Sequence, residues 1–222
     1  MDVVLTPVQV RVLGCLIEKE ITTPEYYPLT LKALTAACNQ KSNRDPVMTL
    51  DERAVLEAID GLRQIDHMVW QVDTAGSRAP KYKHDVATAL KLSAQELAVV
   101  CELMVRGPQT LGELRTHAGR LSAFGNLSEV ADALQRLQAR SEGPLVIKLP
   151  RETGRREQRY AHLLCGQAIA EAGLEMGPAD PAAPQAQAGG DRLADIEAQV
   201  AALRKDVDEL RQQLAEFKRQ FA

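Results

Sequence analysis

Aromatic side chains are scarce in this 222-residue chain, only 4% of it with a single tryptophan, so no interleaved stripe of aromatics and cations for stacking bases is present. Cysteine is scarce too. Cys15, Cys38, Cys101 and Cys165 stand far apart with no C-x-x-C pair, which excludes a paired-cysteine zinc set and predicts reduced thiols packed as small apolar groups in a cytoplasmic compartment. No apolar run reaches the length of about eighteen residues needed to span a membrane, and the opening MDVVLTP has neither a basic nor an apolar leader segment. Membrane contact is therefore not expected. Catalytic signatures are missing as well: there is no G-x-G-x-x-G, G-x-x-x-x-G-K, H-E-x-x-H or G-x-S-x-G. His162 and Cys165 form an H-x-x-C without a second pair at zinc-like spacing, so both read as core or edge residues. Neither enzymatic activity nor a cofactor or metal is expected.

What is present changes along the chain. Residues 166–190 are rich in Ala, Gly, Pro and Gln and read as a flexible linker. Beyond it, over 191–222, apolar residues recur in threes and fours at Leu193, Ile196, Val200, Leu203, Val207, Leu210, Leu214, Phe217 and Phe221. That is a heptad seam, and it predicts a coiled-coil helix that makes the protein a homodimer. The alternative is an amphipathic helix folded back on its own body.

Upstream of the linker the sequence repeats itself. Leu5-Thr6 with Val10, Leu13 and Leu16 returns as Leu92-Ser93 with Leu97, Val100 and Leu103; TLKALTAACNQ from Thr30 returns as TLGELRTHAGR from Thr110. Val55, Ile59 and Leu62 are matched by Val130, Leu134 and Leu137 on a third helix. Two extended segments follow in each copy, MVWQV and PKYKH in the first, LVIKL and QRYAH in the second. Each unit thus reads helix, helix, helix, strand, turn, strand. The expected fold is mostly α with small β-hairpins (α+β), as two tandem winged-helix domains over 1–88 and 89–165. Trp70 alternates with Met68 and Val72 and is expected to pack the first hairpin against its helices. The first copy also carries an insertion, ITTPEYYP, whose Tyr26 and Tyr27 are expected to cap the core or line an interface.

LTPVQVRVLGCLIEKEITTPEYYPLTLKALTAACNQKSNRDPVM, with the later RAPKYKH and RYAHLL, closely resembles the bacterial YceH-like family over residues 4 to 165. The resemblance implies a tandem winged-helix fold and a terminal coiled coil of variable presence. It implies no established activity.

A winged helix commonly places its third helix in the DNA major groove and its wing on the backbone. Residues 1–85 hold 10 basic and 12 acidic side chains, 86–165 hold 11 and 8, and 166–222 hold 6 and 10, so the middle stretch alone leans basic. The first third helix opens with Asp51 and Glu52 and continues with Glu57 and Asp60, which repel phosphate. Those acids fit a helix N-terminus equally well. Before it, NQKSNRDP offers Asn39, Gln40, Lys41, Ser42, Asn43 and Arg44 as donors to phosphates or bases, or as ordinary turn formers. In the second unit the wing carries Arg151, Arg155, Arg156 and Arg159, with Arg115 and Arg120 on or just after the second helix. Two functions follow: a DNA-associated, transcription-regulator-like protein that binds double-stranded DNA through these residues, or a protein-interaction scaffold that docks a partner on Tyr26, Tyr27, Asp51 and Glu52.

Overall fold

A computed structural model describes residues 4–65, 67–72, 79–151 and 157–166. The expected linker beyond residue 166, the coiled-coil seam, Arg155 and Arg156 lie outside the described residues.

The first helix, α1 (Pro7–Thr22), starts where Thr6 caps it. Thr6 N–H donates to Gln9 Oε1 at 2.8 Å and Gln9 N–H returns to Thr6 Oγ1 at 3.2 Å, a capping box with Pro7 at the first helical position. Ser93 and Glu96 build the same box for α5 (Ala94–Arg106). Both helices are apolar around most of their circumference, and both are central: Val12, Leu13, Leu16 and Ile17 of α1 and Ala98, Val99, Val100 and Leu103 of α5 are fully buried. They cross at Gly14, where an added Cβ would lie 2.8 Å from Val105 Cγ1 and 3.1 Å from Met104 Cβ. Cys101 Sγ donates to the Gly14 carbonyl at 3.4 Å across the same crossing. All four cysteines are free and buried.

Around α1 fold β1 (Leu29–Thr30), α2 (Leu31–Cys38), α3 (Glu52–Gln64), β2 (Val69–Val72) and β3 (Lys81–His84). Thr30 caps α2 and Asp51 caps α3 through their side-chain oxygens. Val55, Ala58, Ile59 and Leu62 of α3 turn inward. The three strands make one antiparallel sheet in the order β1-β3-β2, with Leu29 opposite Tyr82 and Val69 opposite His84. After the short α4 (Val86–Ala89) the second half repeats the plan around α5: β4 (Gln109–Thr110), α6 (Leu111–Ala118), α7 (Leu127–Gln138), β5 (Val146–Lys148) and β6 (Arg159–His162), with sheet order β4-β6-β5. Each half therefore reads helix, strand, helix, helix, strand, strand. One hydrophobic cluster runs from Leu5 to Cys165 through both halves, which belong to one compact unit.

The insertion of the first half forms a 3-10 turn, Pro24–Tyr26. Its two tyrosines part company: Tyr26 is 71% exposed, while Tyr27 packs edge-on against the His84 ring and its hydroxyl accepts from His84 N–H at 2.7 Å. Tyr82 and His84, two apart on β3, share the inner face. Trp70 departs from expectation. It is 43% exposed, because the register sets Val69 opposite the inward His84 and Trp70 opposite the exposed Lys83. Met68, which the alternation would place on Trp70's face, precedes the strand and is buried independently of it.

Candidate functional site

The loop 39–46 joins α2 to the segment before α3, and it is held from several sides. Asn39 Nδ2 donates to Leu50 O at 2.7 Å and Leu50 N–H donates back to Asn39 Oδ1 at 2.8 Å. Gln40 Oε1 accepts from Arg44 at 3.0 Å and from Lys19 at 3.5 Å. Asn43 takes a left-handed φ of 59°, which asparagine tolerates, and accepts from Arg106. Lys41 and Ser42 are exposed.

Arg44 requires a correction to the expected DNA-contacting set, and Arg120 is drawn into the same ion-pair network. Arg44 turns inward, with its side chain fully buried, and forms an ion pair with Glu18 at 2.5 Å while donating to Ala37 O at 3.1 Å. Arg120 reaches the other carboxylate oxygen of Glu18 at 2.6 Å and Glu102 at 2.8 Å. Arg106 completes the set with Glu102 at 3.1 Å. Two fully buried acids, one from each central helix, thus hold three arginines from three different segments. Burial pushes the Glu18 carboxyl up, but the hydrogen bonds from Arg44 and Arg120 outweigh it and hold the group below the ordinary glutamate value. Arg44 is spent inside the first half and is closed to phosphates by its burial, while Arg120 ties Glu18 of the first half to Glu102 of the second and keeps part of its surface in solvent. Sequence reasoning missed Glu18 and Glu102; the available signal was an acid inside an otherwise apolar helical run, LIEKE and VVCELMV, which demands a buried partner.

Over this network lies an open groove of about 210 Å³ flanked by Asn43, Arg106, Gln109, Glu113, His117 and Arg159. His117 Nδ1 is 2.6 Å from Gln109 Oε1, and Gln109 Nε2 donates to Glu102 O at 3.1 Å. Burial, and then Arg106, hold His117 below its ordinary value, and its Nδ1 stands where it can donate to Gln109 Oε1. The groove mixes charges, with Arg106 and Arg159 beside Asp45 and Glu113.

The third helices carry little positive charge outward. On α3 the exposed residues include Asp51, Glu52, Glu57 and Asp60, with Arg53 bound to Glu57 at 2.9 Å and Arg63 to Asp60 at 3.5 Å. Asp51 is also the helix cap. On α7, Ser128, Asp132, Gln135 and Arg136 face outward, and Arg136 is bound to Glu96 at 3.0 Å. The hairpins differ. Lys83 is exposed beside Trp70, whose indole stacks on His67 with centroids 5.2 Å apart, and Lys81 follows on the same face. In the second half Lys148 lies over the Tyr160 ring at 5.9 Å, and Arg151 is exposed just beyond β5. Arg159 is half-buried on β6, and Arg115 is exposed on α6. Among the described residues no group of three His, Cys, Asp or Glu could hold a metal ion, and no helix is long and apolar enough to cross a membrane.

Residues 5–155 match a family profile described as "Protein of unknown function, DUF480". Full-length relatives agree with it. A "UPF0502 protein" of Pelobacter propionicus is 52% identical over 221 residues, covering 100% of both chains, and one of Geobacter sulfurreducens is 51% identical with the same coverage. A third, from Vibrio atlanticus, is 47% identical over 215 residues, covering 95% of this chain and 97% of its own.

Proposed function

This chain belongs to the DUF480 family, and from its duplicated topology and surface charge we propose that it is a non-catalytic, DNA-associated regulator built from two winged-helix units. The element order and the strand order β1-β3-β2, repeated as β4-β6-β5, support the winged-helix reading. The cations on the hairpins carry the functional one: Lys81 and Lys83 in the first half, Lys148 and Arg151 in the second. The acidic face of α3 disfavours the usual major-groove insertion, so the hairpins contact the phosphate backbone and the helices stay off it. Arg155 and Arg156 extend the second hairpin's cationic set by sequence. Paired through the heptad seam, two copies would present four hairpins, and their joint binding raises avidity without any new contact.

Fluorescence anisotropy of the full chain with a labelled random-sequence duplex tests this at about 50 mM and about 200 mM salt. Dissociation constants of roughly 10⁻⁴ to 10⁻⁶ M at physiological salt, tightening steeply below it, are expected. Absence of binding at the lower salt would sink the reading. A second reading, docking of a protein partner, is favoured by one observation: Trp70, Leu56 and Tyr26 are exposed at 43%, 37% and 71%. Replacing Trp70 with Ala would then abolish partner capture and leave DNA binding unchanged.

A further inference from the structure

A second cavity, of about 150 Å³, lies where α1, α5, the 45–48 loop and β6 meet, bringing together parts of both halves. Val10, Pro46, Met48, Leu103, Met104 and Cys165 give it mainly apolar walls. A cavity of this size can hold a benzene ring. Arg11 and His162 also line it, together with Asp45, and Arg11 and His162 each have a buried atom without a hydrogen-bond partner: Arg11 Nε and His162 Nδ1.

Arg11 is only 1% exposed. Its Nη1 donates to Cys38 O at 3.2 Å and its Nη2 to Pro46 O at 2.7 Å, so it is anchored by neutral carbonyls alone. Among the described residues no carboxylate lies within ion-pair distance of it, unlike the three arginines that share Glu18 and Glu102. A buried cation is unfavourable without a close counter-ion, and Asp45, which acts on Arg11 through space, forms no ion pair with it, so the guanidinium is only partly compensated beside the cavity. Asp45, the one acid in the lining, is exposed, as is Pro46, so the 45–48 loop forms the mouth. A carboxylate at the mouth disfavours a dianion more than a monoanion.

We propose that this cavity binds a small monocarboxylate with an apolar body about the size of benzoate, its carboxylate meeting Arg11 and His162 and its body filling the apolar walls. The site is independent of the hairpin surfaces and of whether the protein binds DNA. Because it draws lining from both halves, a bound ligand would bridge them.

Isothermal titration of the full chain with benzoate, 3-methylbutanoate and the neutral isostere benzamide tests the proposal. At least one of the two carboxylates is expected to bind, with benzamide about tenfold weaker or more, since a hydrogen bond to a charged group is at stake. Met48→Trp narrows the mouth without touching Arg11 and should weaken carboxylate binding by about tenfold or more; Arg11→Met should do the same if it folds. Binding should also move the His162 ring signals in NMR spectra. No binding of either carboxylate at millimolar concentration, equal binding of benzamide, or full affinity in Met48→Trp would overturn the proposal.

Discussion

Removing the Arg44 guanidinium leaves the fully buried Glu18 with Arg120 as its remaining strong partner and removes one of the ties between the 39–46 loop and α1. Breaking a buried pair from one side is destabilising because the other charge stays behind. Arg44→Ala is expected to lose about 3 kcal/mol in urea unfolding, whereas Lys41→Ala, on the exposed part of the same loop, changes stability by less than about 0.5 kcal/mol. The same carboxylate sets an acid limit. Glu18 is held below its ordinary value, so its contribution is present at neutral pH and is lost as pH falls through the folded value. His162 acts at higher pH. Burial holds its imidazole at about 4 against an ordinary value of 6.5, so between these limits the unfolded chain takes up a proton that the folded chain refuses. Stability therefore falls with pH across that window, by about 2 kcal/mol between pH 7 and pH 5. His162→Phe should remove that part of the slope in paired urea titrations; an unaltered slope would show that His162 is not held neutral.

The α1–α5 crossing depends on Gly14, since a methyl group there meets Val105 and Met104 at less than van der Waals distance. Alanine would gain about 1 kcal/mol in helix propensity, but overpacking costs about 1–3 kcal/mol. Gly14→Ala should therefore destabilise by about 1 kcal/mol, and adding Val105→Ala should recover part of the loss; two independent, additive effects would contradict the contact. Much at this scale was legible in the sequence. Thr6 and Ser93 head the two repeated helices as N-caps, the repeated segments from Thr30 and Thr110 became α2 and α6, and the inward stripes of α3 and α7 followed the helical period. The strands β1 and β4 were not legible, because two residues cannot display an alternation and their pairing is set by distant β3 and β6. Trp70 was misplaced because a period of two fixes which residues share a face, not which face is inward; the pairing of Val69 with His84 decides that. Arg44 looked like a surface cation because its partner Glu18 lies 26 residues away, and the pairing of Arg120 with the same Glu18 spans 102 residues, beyond any local pattern.

Across the whole molecule, charge is distributed by function of place. The chain carries a formal net charge of −3, its ionised residues in the interior join the two halves, and the third helices show acidic or neutral faces to solvent. Exposed cations remain on the hairpins, and the account of DNA association stands on them. A phosphate contact contributes to the salt dependence of binding whatever the sequence bound, roughly one in the logarithmic slope for each lysine. The decisive measurement is the salt slope of duplex binding for the full chain and for Lys81→Ala/Lys83→Ala, from about 50 mM to about 200 mM salt. The account predicts that the double variant binds more weakly with a slope shallower by roughly two units. An unchanged slope, or no binding by either protein at the lower salt, would contradict it.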